Sequence, residues 1–297
     1  MGDKMKKFIC LDIGGTYIKY GVLTEDMKFL TKGKVPTKKE NINILENISS
    51  IIKNCKRGHS ISGIAISSAG IVDSDKGNII SATLIDGYSG LELKKELEYE
   101  FDLKCEVEND VNCVGIAENY LGEAKDAKSC VCITVGTGIG GCVLIDNNVI
   151  NGFTNSAGEL GYMYVNNNRF SQVATASSLV KNVSRLKAKE MTGEEIFQLA
   201  KDGDSLCIIE IDKMLENLAT GIANIIYILN PEVIVLGGGI MEQEMYIKER
   251  LNYFLKEKVV RDIFNNTTIK FAKNQNDSGM LGALINFLQK NKNTSFY

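Results

Sequence analysis

Residues 8–23 read Phe8-Ile9-Cys10-Leu11-Asp12-Ile13-Gly14-Gly15-Thr16-Tyr17-Ile18-Lys19-Tyr20-Gly21-Val22-Leu23. An apolar run ends in a carboxylate, turns through two glycines and a threonine, and leaves again as a second strand-like run. The pattern predicts a β-hairpin. Glycine permits the positive φ of a tight turn and leaves no Cβ between backbone N–H groups and an anion, so such a bend can receive a phosphate. Thr16 adds a hydroxyl donor, and Asp12 stands where a carboxylate can hold the hydrated Mg²⁺ of a nucleotide. A strand follows these glycines, where a Walker loop or a dinucleotide fingerprint has a helix. Taken alone, the stretch is also readable as a plain Gly-Gly hairpin turn.

The theme returns at Cys130: Val131-Cys132-Ile133-Thr134-Val135-Gly136-Thr137-Gly138-Ile139-Gly140-Gly141-Cys142-Val143-Leu144-Ile145-Asp146. A buried strand again turns through glycines and a threonine and comes back as a strand. Two such hairpins about 120 residues apart, each followed by helical material, read as an internal duplication of an α/β domain. Paired domains of this kind would clamp one polyphosphate between two turns.

The chain has 297 residues, 44% of them hydrophobic and 24% charged, ordinary for a two-domain globular enzyme. A formal net charge of −3 and scattered lysines give no basic field for nucleic acid. The short basic lead into Phe8 and the lack of an apolar span of about 18 residues point to a cytoplasmic protein without a membrane segment. The eight cysteines include no CxxC pair, and four of them, Cys10, Cys130, Cys132 and Cys142, sit inside apolar runs; they read as small buried hydrophobes. The single histidine, His59, lies in a charged stretch and reads as a surface loop residue.

Between the hairpins, Lys28–Lys39 reads as a third strand and loop, and Asn41–Lys53 as an amphipathic helix. Ile61–Gly70 reads as a buried strand ending in small residues, Ile71–Ile80 as a hairpin and Leu91–Tyr99 as a helix. Cys105–Glu108 is a strand that runs into Asn109-Asp110-Val111-Asn112, ahead of a helix over Cys113–Tyr120. Short polar side chains at a strand's C-terminal end suit a ligand crevice, and Asn or Asp there equally suits a helix N-cap. Asp110 is the candidate catalytic carboxylate.

Beyond the second hairpin, Ser156-Ala157-Gly158-Glu159-Leu160-Gly161-Tyr162 places Glu159 among small residues, ready for a polar ligand or for solvent. Asn166–Arg169 reads as a turn, and helices are expected over Thr175–Arg185, Thr192–Lys201 and Ser205–Asn230, the last stopped by Pro231. Glu232–Ile240 is a strand ending in Gly237-Gly238-Gly239, where a flat ring can approach the backbone. Helix Gln243–Phe254, strand Thr268–Ala272 and a last helix from Asp277-Ser278 to near Lys290 complete the pattern, with Asn291–Tyr297 as a frayed polar tail.

In their order along the chain, LDIGGTYIKYGVL, ENDVN, ITVGTGIGGCVLID, GELGYM and IVLGGGI resemble the motifs of the ROK sugar kinases, in the hexokinase, Hsp70 and actin superfamily. The resemblance implies two ribonuclease-H-like α/β domains facing a central cleft. One would comprise 1–117 plus 280–297, and the other 118–279. It implies ATP and Mg²⁺, a small-molecule sugar, and a homodimer. Asp110 would be the base toward the sugar hydroxyl; Gly70, Asn109, Glu159 and Tyr162 would meet the sugar. Asp12 would act on Mg²⁺ through water, and Gly14, Gly15, Thr16, Lys19, Thr137, Gly138, Gly238 and Gly239 would surround the nucleotide. The sequence departs from the family where typical members carry a histidine and a cysteine-rich zinc knot ending in a second sugar-binding glutamate. Tyr162 takes the histidine's place, and Tyr164–Val180 contains neither cysteine nor glutamate, so no zinc site is expected. Zinc-free members of similar sequence include N-acetylmannosamine kinases and β-glucoside kinases. N-acetylmannosamine phosphorylated at its 6-hydroxyl is the favoured substrate on this resemblance, with β-glucosides and glucose as alternatives. A repressor of this family would carry a helix-turn-helix ahead of the first phosphate motif, where this sequence has seven residues. A non-catalytic sugar sensor would have lost Asp110 or the phosphate turns.

Overall fold

Alternation along the opening strand sets the layers of the first half of the structure. In β1 (Lys7–Ile13), Ile9, Leu11 and Ile13 join one apolar cluster, and Phe8 and Cys10 join another. Successive strand residues point to opposite faces, so this sheet is covered on both sides. The structure, a computed structural model, describes residues 5–38 and 40–292. Met1–Lys4, Lys39 and residues 293–297 of the expected tail lie outside the described residues.

The chain divides into two compact units, one of Met1–Tyr120, Asn151–Ala157 and Asn276–Tyr297, the other of Leu121–Ile150 and Gly158–Gln275. In the first, β1 is followed by β2 (Tyr17–Thr24), β3 (Phe29–Pro36), β4 (Gly63–Ser68), the small ladder of β5 (Ile71–Asp73) with β6 (Asn78–Ser81), and β7 (Cys105–Asn109). The main sheet has the order β3-β2-β1-β4-β7, with β1–β3 antiparallel and β4 and β7 parallel to β1. Helices α1 (Ile44–Gly58) and α2 (Leu93–Phe101) bury Ile48, Ile52, Leu93 and Leu97 with Ile9 and Leu11. The opposite face is covered by α3 (Asp110–Leu121) and the C-terminal helix Ser278–Lys292, through Cys113, Ala117, Met280, Leu284 and Phe287.

The second unit opens with β8 (Ser129–Val135), β9 (Ile139–Ile145) and β10 (Asn148–Val149), then forms the ladder β11 (Tyr164–Val165) with β12 (Asn168–Arg169). Helices α4 (Phe170–Val173), α5 (Ala176–Lys187), α6 (Gly193–Lys201) and α7 (Ser205–Leu229) lead to β13 (Val233–Gly237), α8 (Glu244–Lys258) and β14 (Thr268–Phe271). Its sheet order is β10-β9-β8-β13-β14. This repeats the first sheet strand for strand, an antiparallel hairpin with a third strand outside it and two parallel strands on the other side. The duplication read from the two glycine hairpins is therefore present in the topology. Val131, Ile133 and Val135 pack with Leu215, Leu218 and Ile222 of α7, and the Phe170 ring fills the space beside Gly221.

The element boundaries move where caps decide them. Helix α1 starts at Ile44 instead of Asn41 because Asn43 accepts from the Glu46 N–H at 2.8 Å and the Glu46 carboxylate accepts from the Asn43 N–H, a capping box. It also runs past Lys53 to Gly58, with the partly buried His59 as its C-cap. Asn166–Arg169 is not an isolated turn: Asn166 and Asn167 take positive φ, which closes a tight hairpin between β11 and β12. The last helix continues through Lys292, so Asn291 is helical. All eight cysteines are buried. Among the described residues no helix is long and apolar enough to cross a membrane.

The C-terminal helix sits so close to α3 that a Cβ on Gly282 would fall on the Cys113 carbonyl oxygen. Backbone cannot give way as a flexible side chain can. Gly282→Ala is expected to cost about 1–3 kcal/mol, the usual range for overpacking, seen as a lower midpoint in urea unfolding. An unchanged midpoint would contradict the close approach.

Candidate active site

Strand register places a polar row across the first sheet. Lys19 of β2 pairs with Asp12 of β1, Asp12 with Ser67 of β4, and Ser67 with Glu108 of β7. Paired residues project to the same face, so all four share the face that carries Phe8 and Cys10. The Ser67 hydroxyl donates to Asp12 Oδ1 at 2.8 Å, and Lys19 Nζ lies 3.4 Å from Asp12 Oδ2. The first turn of the C-terminal helix comes up against the same carboxylate. A Cβ on Gly279 would stand 2.6 Å from Asp12 Cγ, so only glycine admits this approach. A carboxylate is favourably placed beside a helix N-terminus.

The first glycine turn is braced from outside. Gly14 N–H donates to the Tyr17 carbonyl at 3.0 Å, which uses that amide to close the bend. Thr37, just past β3, donates its hydroxyl to the Gly14 carbonyl at 2.6 Å and its N–H to the Thr16 carbonyl at 3.0 Å. The tip, Gly15 and Thr16, is exposed. Neither Thr37 nor Ser67 carries a signal in the sequence, because each acts on a residue more than 20 positions away.

Asp110 is the first residue of α3, and Asn109 is the cap that starts that helix. Asn109 Oδ1 accepts from the N–H groups of Val111 at 2.9 Å and Asn112 at 3.0 Å. Its Nδ2 donates to the Gly70 carbonyl at 2.8 Å and to Asp110 Oδ1 at 3.0 Å. The helix therefore starts at Asp110, three residues before the expected Cys113. The side chain of Asn109, expected to touch the sugar, has two donor and two acceptor contacts within the chain. Gly70 holds φ +98°, and a Cβ there would run into the Ser81 carbonyl, so its glycine character serves the backbone path. Below them, Glu108 is buried and accepts from the Asn109 N–H at 2.9 Å and from Asn112 Nδ2 at 3.0 Å. Burial pushes its carboxyl above the ordinary glutamate range, and the hydrogen bonds from Asn112 and the Asn109 N–H oppose that.

In the second unit, Gly136 N–H donates to the Gly138 carbonyl at 3.0 Å, and Thr137 and Gly138 stand exposed at the tip of the turn. The Ile139 N–H at the foot of this turn donates to Ser171 Oγ at 2.9 Å, and a Cβ on Gly161 would collide with that same oxygen. Ser171 thus joins the second glycine turn to the Glu159–Tyr162 turn. Glu159 is half-buried, and burial raises its carboxyl pKa. Tyr162 is 64% exposed, with the Arg169 guanidinium 5.1 Å from its ring centre. At the end of β13, Gly238 has φ +99°, and a Cβ on it would meet the Val135 backbone, whereas Gly239 has open space around it. Of the two, Gly239 is free to receive a flat ring.

Among the described residues no group of three or more His, Cys, Asp and Glu side chains is placed to hold a metal ion. Mg²⁺ bound with substrate phosphates needs only one or two carboxylates, and the half-buried Asp12 beside the first glycine turn fits that use.

The Glu108 shift carries a sign. The folded chain holds this proton more tightly than the unfolded chain, so the stability it contributes is full below the ordinary glutamate pKa and is lost as pH rises through the folded value. Lys290 from the C-terminal helix, Glu106 on the same strand with its partner Lys94, and Asp110 and Cys113 of α3 are the other ionisable groups around it. Glu108→Gln removes the titration. As pH rises above the ordinary glutamate range, the unfolding midpoint of the wild type is expected to fall relative to that of Glu108→Gln; midpoints that stay parallel as pH rises would count against it.

The ROK family profile matches residues 8–290. A β-glucoside kinase of Listeria monocytogenes is 32% identical over 96% of this chain and 98% of its own length. A solved Listeria monocytogenes structure, described as a candidate N-acetylmannosamine kinase, is 30% identical, covers 96% of this chain and 99% of its own, and superposes with a TM-score of 0.86. A ROK family protein of Streptococcus pneumoniae, solved with sucrose, is 31% identical with a TM-score of 0.85, over 97% of this chain and 99% of its own. The family profile over nearly the whole chain, and relatives of about a third identity that align end to end, establish that the chain belongs to the ROK family and shares the fold of its sugar kinases.

Proposed function

We propose that the chain is an ATP-dependent sugar kinase that transfers the γ-phosphate to the 6-hydroxyl of a hexose, with Asp110 as the base. The observation that carries the reading is Asp110 at the start of α3, its Oδ1 held by Asn109 Nδ2 at 3.0 Å and by the Val111 N–H at 2.9 Å. A carboxylate fixed in this way is held in one orientation, from which it can accept the hydroxyl proton. Phosphoryl transfer asks the protein for alignment and charge neutralisation more than for covalent chemistry. The exposed turn tips Gly15-Thr16 and Thr137-Gly138 supply N–H and hydroxyl groups for the phosphates, with Lys19 beside the first of them, and Gly239 lies open for the adenosine ring. Asp12 would hold Mg²⁺ through water, and the ion when bound offsets phosphate charge. Glu159 holds the sugar, and Asn109 and Gly70 act by fixing Asp110.

For the sugar, we favour a β-glucoside. An exposed tyrosine face backed by a guanidinium suits the flat, apolar side of a second sugar ring, which a monosaccharide would leave bare. The β-glucoside kinase among the similar chains supports this choice, and the protein solved with sucrose, an α-linked disaccharide, supports only room for a second sugar unit. N-acetylmannosamine, the first choice from sequence, remains the second reading, supported by the Listeria structure.

Asp110→Asn keeps the shape and deletes the proton acceptor, so kcat is expected to fall by about 10²–10⁴-fold, the usual worth of a general base, with ATP binding and the unfolding midpoint retained. Retention of more than about a tenth of the wild-type kcat would refute the base role. ADP release over a panel of cellobiose, N-acetylmannosamine, N-acetylglucosamine, glucose and fructose ranks the sugars. A kcat/KM for N-acetylmannosamine above that for cellobiose would replace the first reading by the second. Activity is expected with Mg²⁺ alone; loss of activity on treatment with a zinc-selective chelator would overturn the zinc-free assignment.

A further inference from the structure

Strand β7 breaks the pattern of its sheet. On the face where β1 and β4 present Phe8, Cys10 and Ala65 to the C-terminal helix, β7 presents Glu106 and Glu108, both buried. A carboxyl at a core-facing position is costly unless its oxygens are satisfied, and these two are satisfied differently. Glu106 pairs with Lys94 at 2.8 Å and with Lys290 at 3.9 Å, an ordinary ion pair within the core. Glu108 forms no ion pair among the described residues. It accepts instead from the Asn109 N–H, from Asn112 Nδ2 and from the Ser74 hydroxyl. Every one of these partners touches the backbone or side chains that frame Asp110, or anchors a neighbouring segment. Ser74 in turn accepts from Asn151 Nδ2 at 3.1 Å, and Asn112 lies 3.5 Å from Asn151 Oδ1. Asn151 begins the stretch 151–157 that packs with the first unit, and that stretch runs on in sequence to Glu159.

We propose that Glu108 is a positioning residue for Asp110: its carboxyl pins the main chain immediately before Asp110 and, through Asn112, the first turn after it, and its bond to Ser74 ties in Asn151 and the stretch leading to Glu159. Asp110 is then held from both sides. Asn109 closes the cap above it, and Glu108 fixes the two ends of the segment on which Asp110 rides. An acceptor is what the geometry needs at Glu108, and a negative charge is not. This inference rests on the reading of Asp110 as the base.

The test compares Glu108→Gln, Glu108→Leu, Lys94→Met and Asp110→Asn in the intact chain, by kcat, by KM for ATP and by unfolding midpoint. A glutamine can turn its amide oxygen to the Asn109 N–H and Asn112 Nδ2, which share one oxygen of Glu108, so Glu108→Gln is expected to keep kcat within about threefold of wild type. Glu108→Leu fills the space without an acceptor and is expected to lower kcat by about tenfold or more, with KM for ATP changed less than about twofold, as displaced alignment does. Lys94→Met is expected to lower the midpoint but not kcat. Should Glu108→Leu fail to fold, Asn112→Leu removes the same pin from the helix side and is expected to show the same loss of kcat at unchanged KM for ATP. Wild-type kcat in the folded leucine variant, an equal kcat loss in Lys94→Met, or a glutamine variant as impaired as the leucine one would each overturn the proposal. If Asp110→Asn keeps its activity, the base reading itself fails; if it loses activity while the leucine variant does not, only the role of Glu108 fails.

Discussion

The carboxylate of Asp12 is the constraint around which the first unit is arranged. The other residues of its strand from Phe8 onward are buried, so this polar end of β1 must be solvated by the protein as well as by water. Register supplies a hydroxyl on one side, from Ser67, and an ammonium on the other, from Lys19. The last helix returns to supply the third element, a helix start with glycine at position 279, where any side chain would strike the carboxyl group. Three distant segments are therefore fixed by one side chain, and the first glycine turn follows it by two residues.

The glycine hairpins, the strands and most helices were legible because local composition decides them. Apolar runs broken by Gly-Gly-Thr or Gly-Thr-Gly have few alternatives to a strand pair. The edges were less legible, because a cap is one side chain's choice among several. Asn41 and Asn43 are both plausible starts for α1, and only the reciprocal bonds with Glu46 select the second. Asn109 and Asp110 were likewise equivalent in sequence, and the structure separates them: the amide caps and the carboxylate is left on the first turn. The partners that brace the site, Thr37, Ser67 and Ser171, could not be read at all. Each is a common small polar residue whose role arises only when a strand register or a packed turn brings it to its partner.

The duplication shows what was kept and what diverged. Both sheets use one strand order, and both hairpins bend through glycines at the same place. In the first, the residue two positions before Gly14 is Asp12; in the second, the residue two before Gly136 is Thr134. The architecture was repeated and the carboxylate was not. The bracing differs too, with Thr37 holding the carbonyls of the first turn and Ser171 receiving the N–H at the foot of the second.

The interleaving of the units has a consequence for how the chain is made. The first unit supplies the early strands, is left at Tyr120, is revisited over 151–157 and receives its last segment only from Asn276 onward. During synthesis, the face of its sheet bearing Phe8, Cys10 and Leu23 stays without its covering helix Ser278–Lys292 until that late segment has emerged. At about 5–20 residues per second, that leaves an apolar surface open on the ribosome for on the order of ten seconds or more. The second unit, enclosed within the first in sequence, can complete its core earlier. The half that begins first is thus the half that finishes last.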